Sequence, residues 1–431
     1  MSGGEEGVAF VKSCFQVLPL LLCLLAGCRR AADSGTVLRV ADWGGPAGEP
    51  AFAQTDRRIR EEFERLHPGV RVQVESIPGP GQYVPKLLMT YVAGNPPDVI
   101  TLDASSAAVF IGHALLDDLS PLIRADRDFD LGAFFTNVVA IARRDASLYA
   151  VPLDFTPMVI LYNKRAFDAA GVAYPPPGWT REQFLATALA LMRARPGGAG
   201  PLRYGATFSP EMSLWLPWIW AGGSDVLSPD GRHATGYLDS PATVETIRFL
   251  VELVRTHHVA PLLSATAAEG RDLFRTGEAA MTVSGHWSLI EYRADRLDLG
   301  LADIPGRGGA PATVMYAAGL AISRASPHRS LAWEYLKYMT SAGVQHRRVA
   351  SGLAISANTS VAREHESEGV EKAFLAAVPH ARPPWGARVE RYALLEDLGR
   401  EMMEDLITGG LPVAPTVART ARLMEAELRR P

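Results

Sequence analysis

Along the first hundred residues, segments whose apolar residues have the spacing of a β-strand are followed by segments whose apolar residues have the spacing of an α-helix. Apolar residues alternate strictly over 70–74 and form short apolar runs over 37–43 and 98–103, which predicts three β-strands. Between these runs, apolar residues recur at helical spacing over 59–66 and 82–93. The order strand, helix, strand, helix, strand indicates an α/β fold with a mostly parallel sheet.

The remainder of the chain is predicted to be richer in helix. Ser240 and Pro241 have the residue types of an N-cap and a first helical position, and the chain after Pro327 is predicted to be almost wholly helical. Short strands are predicted at 149–152, 159–162, 279–283, 299–304 and 319–323. The chain has no repeat of 20 to 50 residues, which excludes a solenoid.

The ends of the predicted strands carry the first candidates for ligand contact. Asp103 follows a buried strand and Trp43 follows the first strand. Ligands of open α/β sheets bind at the carboxyl ends of parallel strands, so both side chains are candidates. The alternatives are a helix N-cap for Asp103 and a surface aromatic for Trp43.

Composition narrows the class of protein. The 431 residues are 48% hydrophobic and 21% charged, which indicates a globular protein of two or three domains. The 43 basic and 47 acidic residues leave a net charge of −4, so there is no basic excess for nucleic acid. The common catalytic and metal-binding motifs are missing, and we predict no catalytic residues, no metal and no cofactor.

The amino-terminal segment has the pattern of a processed leader. An apolar run over 15–27 is too short to span a bilayer but suits a signal peptide. The run ends in Leu-Ala-Gly before Cys28, which resembles the lipobox of bacterial lipoproteins, whose cysteine is lipidated. We therefore expect a signal peptide over 1–27, then the lipidated Cys28 and a linker over 28–36. The alternative is an ordinary secretory signal with a chance cysteine.

Several ordered segments resemble one family. These are Gly-Asn-Pro-Pro-Asp-Val at 94–99, the Leu-Tyr-Asn-Lys stretch at 161–164, Phe-Arg-Thr-Gly-Glu-Ala-Ala-Met at 274–281 and the Gly285-His286-Trp287 turn. Together they resemble the extracellular solute-binding protein family 1, the receptors of sugar-type ABC importers. The similarity extends over most of residues 37–425.

The resemblance implies a type II periplasmic-binding-protein fold with two lobes, each a mostly parallel sheet flanked by helices. The family's chain crosses between lobes three times, which we place near Asp154, near Val314 and near residue 342. This assigns lobe I to residues 37–155 plus 314–342 and lobe II to residues 156–313 plus 343–431. Hinge closure around the ligand is expected.

A sugar has apolar faces that stack on aromatic rings and hydroxyl groups that need fixed donors and acceptors. Residues of these types near strand ends and breaks are the predicted ligand contacts: Trp43, Tyr83, Asp103, Thr156, Trp218, Asp225, Trp287, Tyr316, Gly319, Trp385 and Arg388. Each has a structural alternative, for example core packing for Trp287 and a strand bulge for Gly319.

The resemblance predicts a binding protein that captures a sugar, an oligosaccharide or a related polyol and delivers it to ABC permease subunits. It is expected to be a monomer, tethered by its lipid to a membrane of the bacterial cell envelope on the extracytoplasmic face. One alternative is a receptor for glycerol 3-phosphate or another small anion held by Arg388. Another is a surface hydrolase acting on glycans, which needs two carboxylates ~5–10 Å apart.

Overall fold

The architecture is taken from a computed structural model that describes residues 35–42, 50–77, 80–193, 202–261, 272–308, 311–352, 355–365 and 369–430. The predicted signal peptide, Cys28, most of the linker and Trp43 lie outside these residues.

The described residues form twelve strands. These are β1 (Thr36–Asp42), β2 (Val70–Ser76), β3 (Val99–Asp103), β4 (Arg143–Arg144), β5 (Ser147–Leu148), β6 (Val151–Pro157), β7 (Val159–Asn163), β8 (Met281–Ser284), β9 (Leu299–Ala302), β10 (Thr313–Ile322), β11 (Ile355–Ser356) and β12 (Ala381–Arg382). The period-two pattern at 70–74 and the apolar run at 98–103 therefore correspond to real strands.

Sixteen α-helices accompany them in the described residues. They are α1 (Pro50–Leu66), α2 (Pro80–Val92), α3 (Ala107–Gly112), α4 (Ser120–Ala125), α5 (Thr136–Val139), α6 (Lys164–Ala170), α7 (Arg181–Arg193), α8 (Met212–Ala221), α9 (Pro241–Arg255), α10 (Leu289–Ala294), α11 (Arg329–Thr340), α12 (Ala342–Ala350), α13 (Thr359–Glu364), α14 (Gly369–Ala377), α15 (Tyr392–Ile407) and α16 (Val413–Leu428). The predicted cap of α9 is confirmed, because the Ser240 side chain accepts a hydrogen bond from the Thr243 backbone N–H.

The larger sheet has seven strands in the order β11-β6-β10-β3-β1-β2, with β12 paired to β10. Strand β1 lies parallel to both β2 and β3, as the alternating pattern predicts. Strand β10 enters antiparallel between β3 and β6, and β11 is antiparallel to β6. The sheet is therefore mixed.

The smaller sheet has the order β8-β7-β9, and both of its pairings are antiparallel. This corrects the expectation of a mostly parallel sheet in each lobe. The predicted parallel arrangement rests on helical crossovers between neighbouring strands, whereas β7 is far in sequence from β8 and β9 and meets both through long-range packing.

Within the described ranges, buried apolar residues form two clusters. The first lies on the larger sheet and reaches one face of β7 through Val159 and Leu161. The second covers the opposite face of β7 through Ile160 and Tyr162, and it includes the buried sides of α7, α8, α9, α15 and α16. Successive side chains of β7 therefore point into two different cores.

The chain passes from the larger to the smaller sheet at Met158, between β6 and β7. It returns at β10, where the Met158 backbone N–H donates to the Val314 carbonyl and the Thr313 hydroxyl donates to the Met158 carbonyl. A crossing was also predicted near residue 342. That prediction is wrong, because β11 pairs with β6 and keeps the following segment with the larger sheet.

None of the helices in the described ranges combines the length and the apolar character that a membrane-spanning helix requires.

Candidate functional site

The carboxyl end of β3 brings Asp103 to one face of the larger sheet. Asp103 pairs with Ala318 of β10, so Tyr316, two residues away from Ala318, lies on the same face. The Asp103 carboxylate accepts hydrogen bonds from the backbone N–H and the hydroxyl of Ser105. The predicted position of Asp103 at a strand end is confirmed, and Tyr316 is beside it.

Trp287 reaches the same place from the smaller sheet. It lies on the 3₁₀ helix His286–Ser288, which follows β8 and Gly285. Its side chain is 41% exposed, and its ring meets that of Tyr316 edge-on at a centroid distance of 6.5 Å. An exposed indole at the meeting point of the two sheets is a platform for an apolar ring face.

Helices α8 and α15, whose buried residues belong to the second apolar cluster, pack beside Asp103, Tyr316 and Trp287. Gly399 allows the close approach, because a Cβ there would lie 2.9 Å from Cζ2 of Trp215. Glu396, one turn before Gly399, and Tyr392, one turn earlier again, therefore project toward the start of α8 and toward Tyr316. In the described residues, the buried hydroxyl oxygens of Tyr316 and Tyr392 have no hydrogen-bond partner. Burial raises the pKa of Tyr316 well above its usual value, and the neighbouring Ser213 hydroxyl opposes this rise.

Two carboxyl groups in this region have raised pKa values. Burial raises the pKa of Asp103 to about 7. Burial, together with the charges of Asp103 and Glu211, raises the pKa of Glu396 to about 8. Both side chains keep partial contact with solvent, although protein surrounds them closely, as expected of groups that line a narrow cleft. Near neutral pH these carboxyls exchange between hydrogen-bond donors and acceptors.

The site therefore combines Trp287, Tyr316, Tyr392, Asp103 and Glu396. Three of them were predicted from the sequence. Tyr392 and Glu396 were missed, because their spacing of four residues on a helix is equally typical of a solvated or packed face.

Two predicted contacts lie in the hydrophobic interior instead. Tyr83 is buried, and its hydroxyl lies 3.0 Å from the Ala41 carbonyl oxygen and 2.9 Å from that of Thr101, so it links β1 to β3. Trp218 is buried and packs edge-on against Phe184. Trp218 therefore lies in the second apolar cluster, because α8 is buried around nearly its whole circumference, and its contact with a ligand stays a prediction.

Asp225 and Trp385 bind each other. The Asp225 carboxylate accepts hydrogen bonds from the indole N–H of Trp385 at 2.9 Å and of Trp220 at 2.8 Å. It also accepts the Val226 backbone N–H at 2.8 Å and lies 3.4 Å from the Arg382 guanidinium. The Asp225 carboxylate thus has its hydrogen-bond partners within the protein. The structure gives Asp225 and Trp385, two of the predicted ligand contacts, a structural role.

Thr156 and Gly319 also have internal roles. The Thr156 hydroxyl accepts the His286 backbone N–H at 2.7 Å and donates to the Pro157 carbonyl at 3.1 Å. Gly319 is beside a strand irregularity in β10, and a Cβ there would lie 3.0 Å from the Cβ of Ala150. The bulge alternative for Gly319 is the one that the structure supports.

Arg388 follows the 3₁₀ helix Trp385–Ala387 and is exposed. This helix lies against α3, and a side chain in place of Gly386 would collide with the Ser105 carbonyl oxygen. Burial lowers the pKa of the Arg144 guanidinium, and the positive charge of Arg388 lowers it further. This effect shows that Arg388 lies near Arg144. One guanidinium nitrogen of Arg144, Nη2, is buried without a hydrogen-bond partner in the described residues.

Known proteins share this architecture. A binding protein of Brucella abortus is 23% identical over 314 residues, which are 72% of this chain and 73% of that protein. The ABC substrate-binding protein of Listeria monocytogenes in complex with cycloalternan is 20% identical, with a TM-score of 0.81 over 91% of this chain and 99% of that chain. UgpB of Mycobacterium tuberculosis in complex with glycerophosphocholine is 20% identical, with a TM-score of 0.76 over 92% and 98% of the two chains. These similarities establish the two-lobed α/β fold of periplasmic binding proteins.

The family model for bacterial extracellular solute-binding proteins matches residues 46–346, a range that includes β3, β6, β10 and the Trp287 turn. The resemblance predicted from the sequence motifs is therefore confirmed, and the chain belongs to the bacterial extracellular solute-binding protein family.

Proposed function

We propose that this protein is the receptor of an ABC importer and captures a sugar, an oligosaccharide or a related polyol between its two lobes. The observation that carries the proposal is the exposed Trp287 ring in contact with Tyr316, together with the buried hydroxyls of Tyr316 and Tyr392, which lack partners in the described residues. Buried polar groups are costly unless they are hydrogen-bonded, so these hydroxyls fit a ligand that supplies hydroxyl groups.

The chemistry of the site matches both parts of a sugar. The indole of Trp287 offers a flat apolar surface for C–H groups, and Tyr316 and Tyr392 can donate to or accept from ring hydroxyls. The cycloalternan complex of the Listeria protein, whose chain has the same fold, supports a carbohydrate as the class of ligand.

Calorimetric titration with a panel of mono- and oligosaccharides tests the proposal. At least one carbohydrate should bind saturably and raise the melting temperature, since a ligand that binds the folded state stabilises it. The absence of saturable heat and of any melting shift across the panel would contradict a carbohydrate receptor.

A specific observation favours an anionic ligand as the second candidate. Arg144 and Arg388 are close, and Nη2 of Arg144 is buried without a partner in the described residues, so a phosphate could be held between two guanidinium groups. The glycerophosphocholine complex of UgpB gives this class a precedent in the same fold. Saturable binding of glycerol 3-phosphate that weakens with ionic strength and is lost in Arg388→Gln would support it.

A glycan hydrolase is less well supported. Such an enzyme needs one carboxyl that remains ionised beside one that remains protonated. Here the pKa values of Asp103 and Glu396 are both raised, to about 7 and about 8, so neither is held as a stable carboxylate. We therefore propose binding without chemical change. Unaltered oligosaccharide after prolonged incubation would agree with it, and shortened products would overturn it.

Location and partners follow from the same proposal. Membership of an extracellular solute-binding family indicates action outside the cytoplasm. We further propose that Cys28 carries the lipid that tethers the protein to a membrane, that the protein acts as a monomer, and that the permease subunits receive the ligand from it. The lipoprotein named among the relatives, from Streptomyces antibioticus, supports the anchor.

A further inference from the structure

The walls of the proposed ligand site carry acidic groups from three elements. Asp103 comes from the end of β3, Glu396 from α15, and Glu211 from the residue before α8. Within the part of the chain that the structure describes, neither Asp103 nor Glu396 forms an ion pair with a lysine, an arginine or a histidine. Two neighbouring carboxyls without a paired cation are held partly protonated in an enclosed space, and a positive charge bound between them would favour their ionised form.

A second observation shows that this acidic region is a place for a ligand. Tyr392 is fully buried, and its hydroxyl has no partner in the described residues. Burial is the main cause of the raised pKa of Tyr392, and the charge of Glu396 is the next. Tyr316, Asp225 and Asp103 raise it further. The hydroxyl is therefore aimed into the same acidic region, and its missing partner is best supplied by a bound molecule.

The exposed Trp287 completes the pattern. Its ring meets Tyr316 edge-on, and the residue is 41% exposed, so part of the indole remains open to solvent. The face of an indole attracts cations as well as apolar sugar faces, and this attraction grows when water is excluded. Carboxyls and an open indole together favour a positive charge on the ligand.

We infer that the site selects a carbohydrate bearing a protonated amine, with the ammonium held by Asp103 and Glu396 and the sugar ring placed against Trp287. The inference rests on the proposed carbohydrate-receptor function and narrows it. The ammonium supplies the missing cation and donates to both carboxylates, whereas hydroxyls of the same ligand reach Tyr316 and Tyr392. A phosphate in this region would be repelled.

Binding of such a ligand is coupled to proton release. Asp103 and Glu396 are partly protonated near neutral pH and must ionise to hold an ammonium group. Affinity therefore rises as the pH increases toward about 7, while the ligand amine stays protonated.

Other charged and titratable groups face this pair. Glu211 before α8 and Asp397 on α15 add negative charge, and Tyr316 of β10 and Tyr392 of α15 are neutral. Asp225 is bound by Arg382 and two indoles. Arg400 is the cation that acts on Glu211, and it pairs with Glu404 at 2.9 Å and with Asp397 at 3.9 Å.

The test is calorimetry on the purified full chain with matched sets of ligands. Glucosamine, galactosamine and the glucosamine di- and trisaccharides are each compared with the N-acetylated form and with the neutral parent sugar. At least one amine ligand should bind tenfold more tightly than both of its matched forms, with protons released to the buffer. If sugars bind but no amine binds more tightly than its matched acetylated and neutral forms, the inference is overturned and the proposed function stands. Failure of every sugar to bind overturns both.

Variants locate the effect. Glu396→Gln and Asp103→Asn should each remove most of the tenfold preference for the amine and change the affinity for neutral sugars less than threefold. Glu401→Gln, on the exposed side of the same helix, should leave the preference unchanged. Thermal melting establishes that each variant is folded. A preference that persists in both folded variants overturns the inference.

Discussion

The His286 backbone N–H donates a 2.7 Å hydrogen bond to the Thr156 hydroxyl oxygen, and this bond ties the larger sheet to the turn that carries Trp287. Thr156 lies on β6, directly opposite Tyr316 in the register with β10. The rings of Trp287 and Tyr316 are therefore positioned through one short connection across the junction of the sheets.

Thr156→Val should weaken this connection. Valine has nearly the shape of threonine but cannot accept the His286 N–H, so a buried donor is left unpaired. The free energy of unfolding should fall by about 1–3 kcal/mol, measured by urea denaturation. Thr256→Val, at an exposed position after α9, should change stability by no more than about 0.5 kcal/mol. Equal losses in both variants would show that the bond has no special role.

Glu371 should make stability depend on acid pH. Burial alone would raise the pKa of Glu371, but His286 at 2.8 Å and Arg293 at 2.8 Å lower it to about 2. Unfolding restores the ordinary pKa near 4.5 and takes up a proton, so the stabilisation present above that pH is lost as the pH falls from about 4.5 to 2. The loss should be about 2–4 kcal/mol, measured by urea unfolding at a series of pH values.

In Glu371→Gln the same series should be flatter in this pH range, and the variant should be less stable than the natural protein at pH 7. Glu401→Gln, which is exposed, should keep the natural slope. A natural slope in Glu371→Gln would contradict the role of this carboxylate.

Trp287→Ala should lower ligand affinity more than stability. Trp287 is 41% exposed, so its removal costs less stability than removal of a fully buried indole, whereas loss of its stacking surface should cost about 1–2 kcal/mol of binding, five- to thirtyfold in Kd. Calorimetry with the best carbohydrate ligand measures the affinity. Tyr174→Ala is the matched control, since Tyr174 is 42% exposed and lies beside Asp168, away from the site. Unchanged affinity in folded Trp287→Ala would remove this residue from the site.

Asp225→Ala should destabilise the protein. The change leaves the indole N–H groups of Trp220 and Trp385 without their acceptor, which should cost about 2–4 kcal/mol in urea unfolding. Glu245→Ala, whose carboxylate forms an exposed pair with Arg307, should cost no more than about 1 kcal/mol. A small loss for Asp225→Ala would argue against its structural role.

Cys28→Ser tests the proposed anchor. Without the thiol no lipid can be attached, so the protein should move from the membrane fraction to the soluble fraction of the cell or to the medium. Fractionation followed by immunoblotting measures the distribution. Cys14→Ser, within the predicted leader, should leave the protein in the membrane fraction. Equal membrane recovery for all three proteins would contradict lipidation at Cys28.

Several motif residues that revealed the family are structural in origin. Asp98 is buried, accepts the Arg39 backbone N–H at 2.8 Å and accepts the Ser326 hydroxyl at 2.5 Å, which joins β1 to the segment after β10. Trp179, which lies outside those motifs, is held in a similar way, because its indole N–H donates to the Asp303 carbonyl at 2.7 Å. Each of these side chains hydrogen-bonds to a backbone group of a segment distant in sequence. Because that partner is present only when the fold forms, the residue is a good indicator of the fold.

The sequence alone predicts an α/β solute-binding protein in which Asp103 lies at the end of a strand and Trp287 follows the turn at Gly285. These features depend on short-range periodicity and on motifs that recur with the fold. Only the tertiary structure decided that the smaller sheet is antiparallel, that Trp218 and Tyr83 are interior, and that Tyr392 and Glu396 reach Tyr316. The physical reason is that the packing of α8 against α15 and the pairing of distant strands determine which side of an element is buried, and neither is encoded in the spacing of nearby residues.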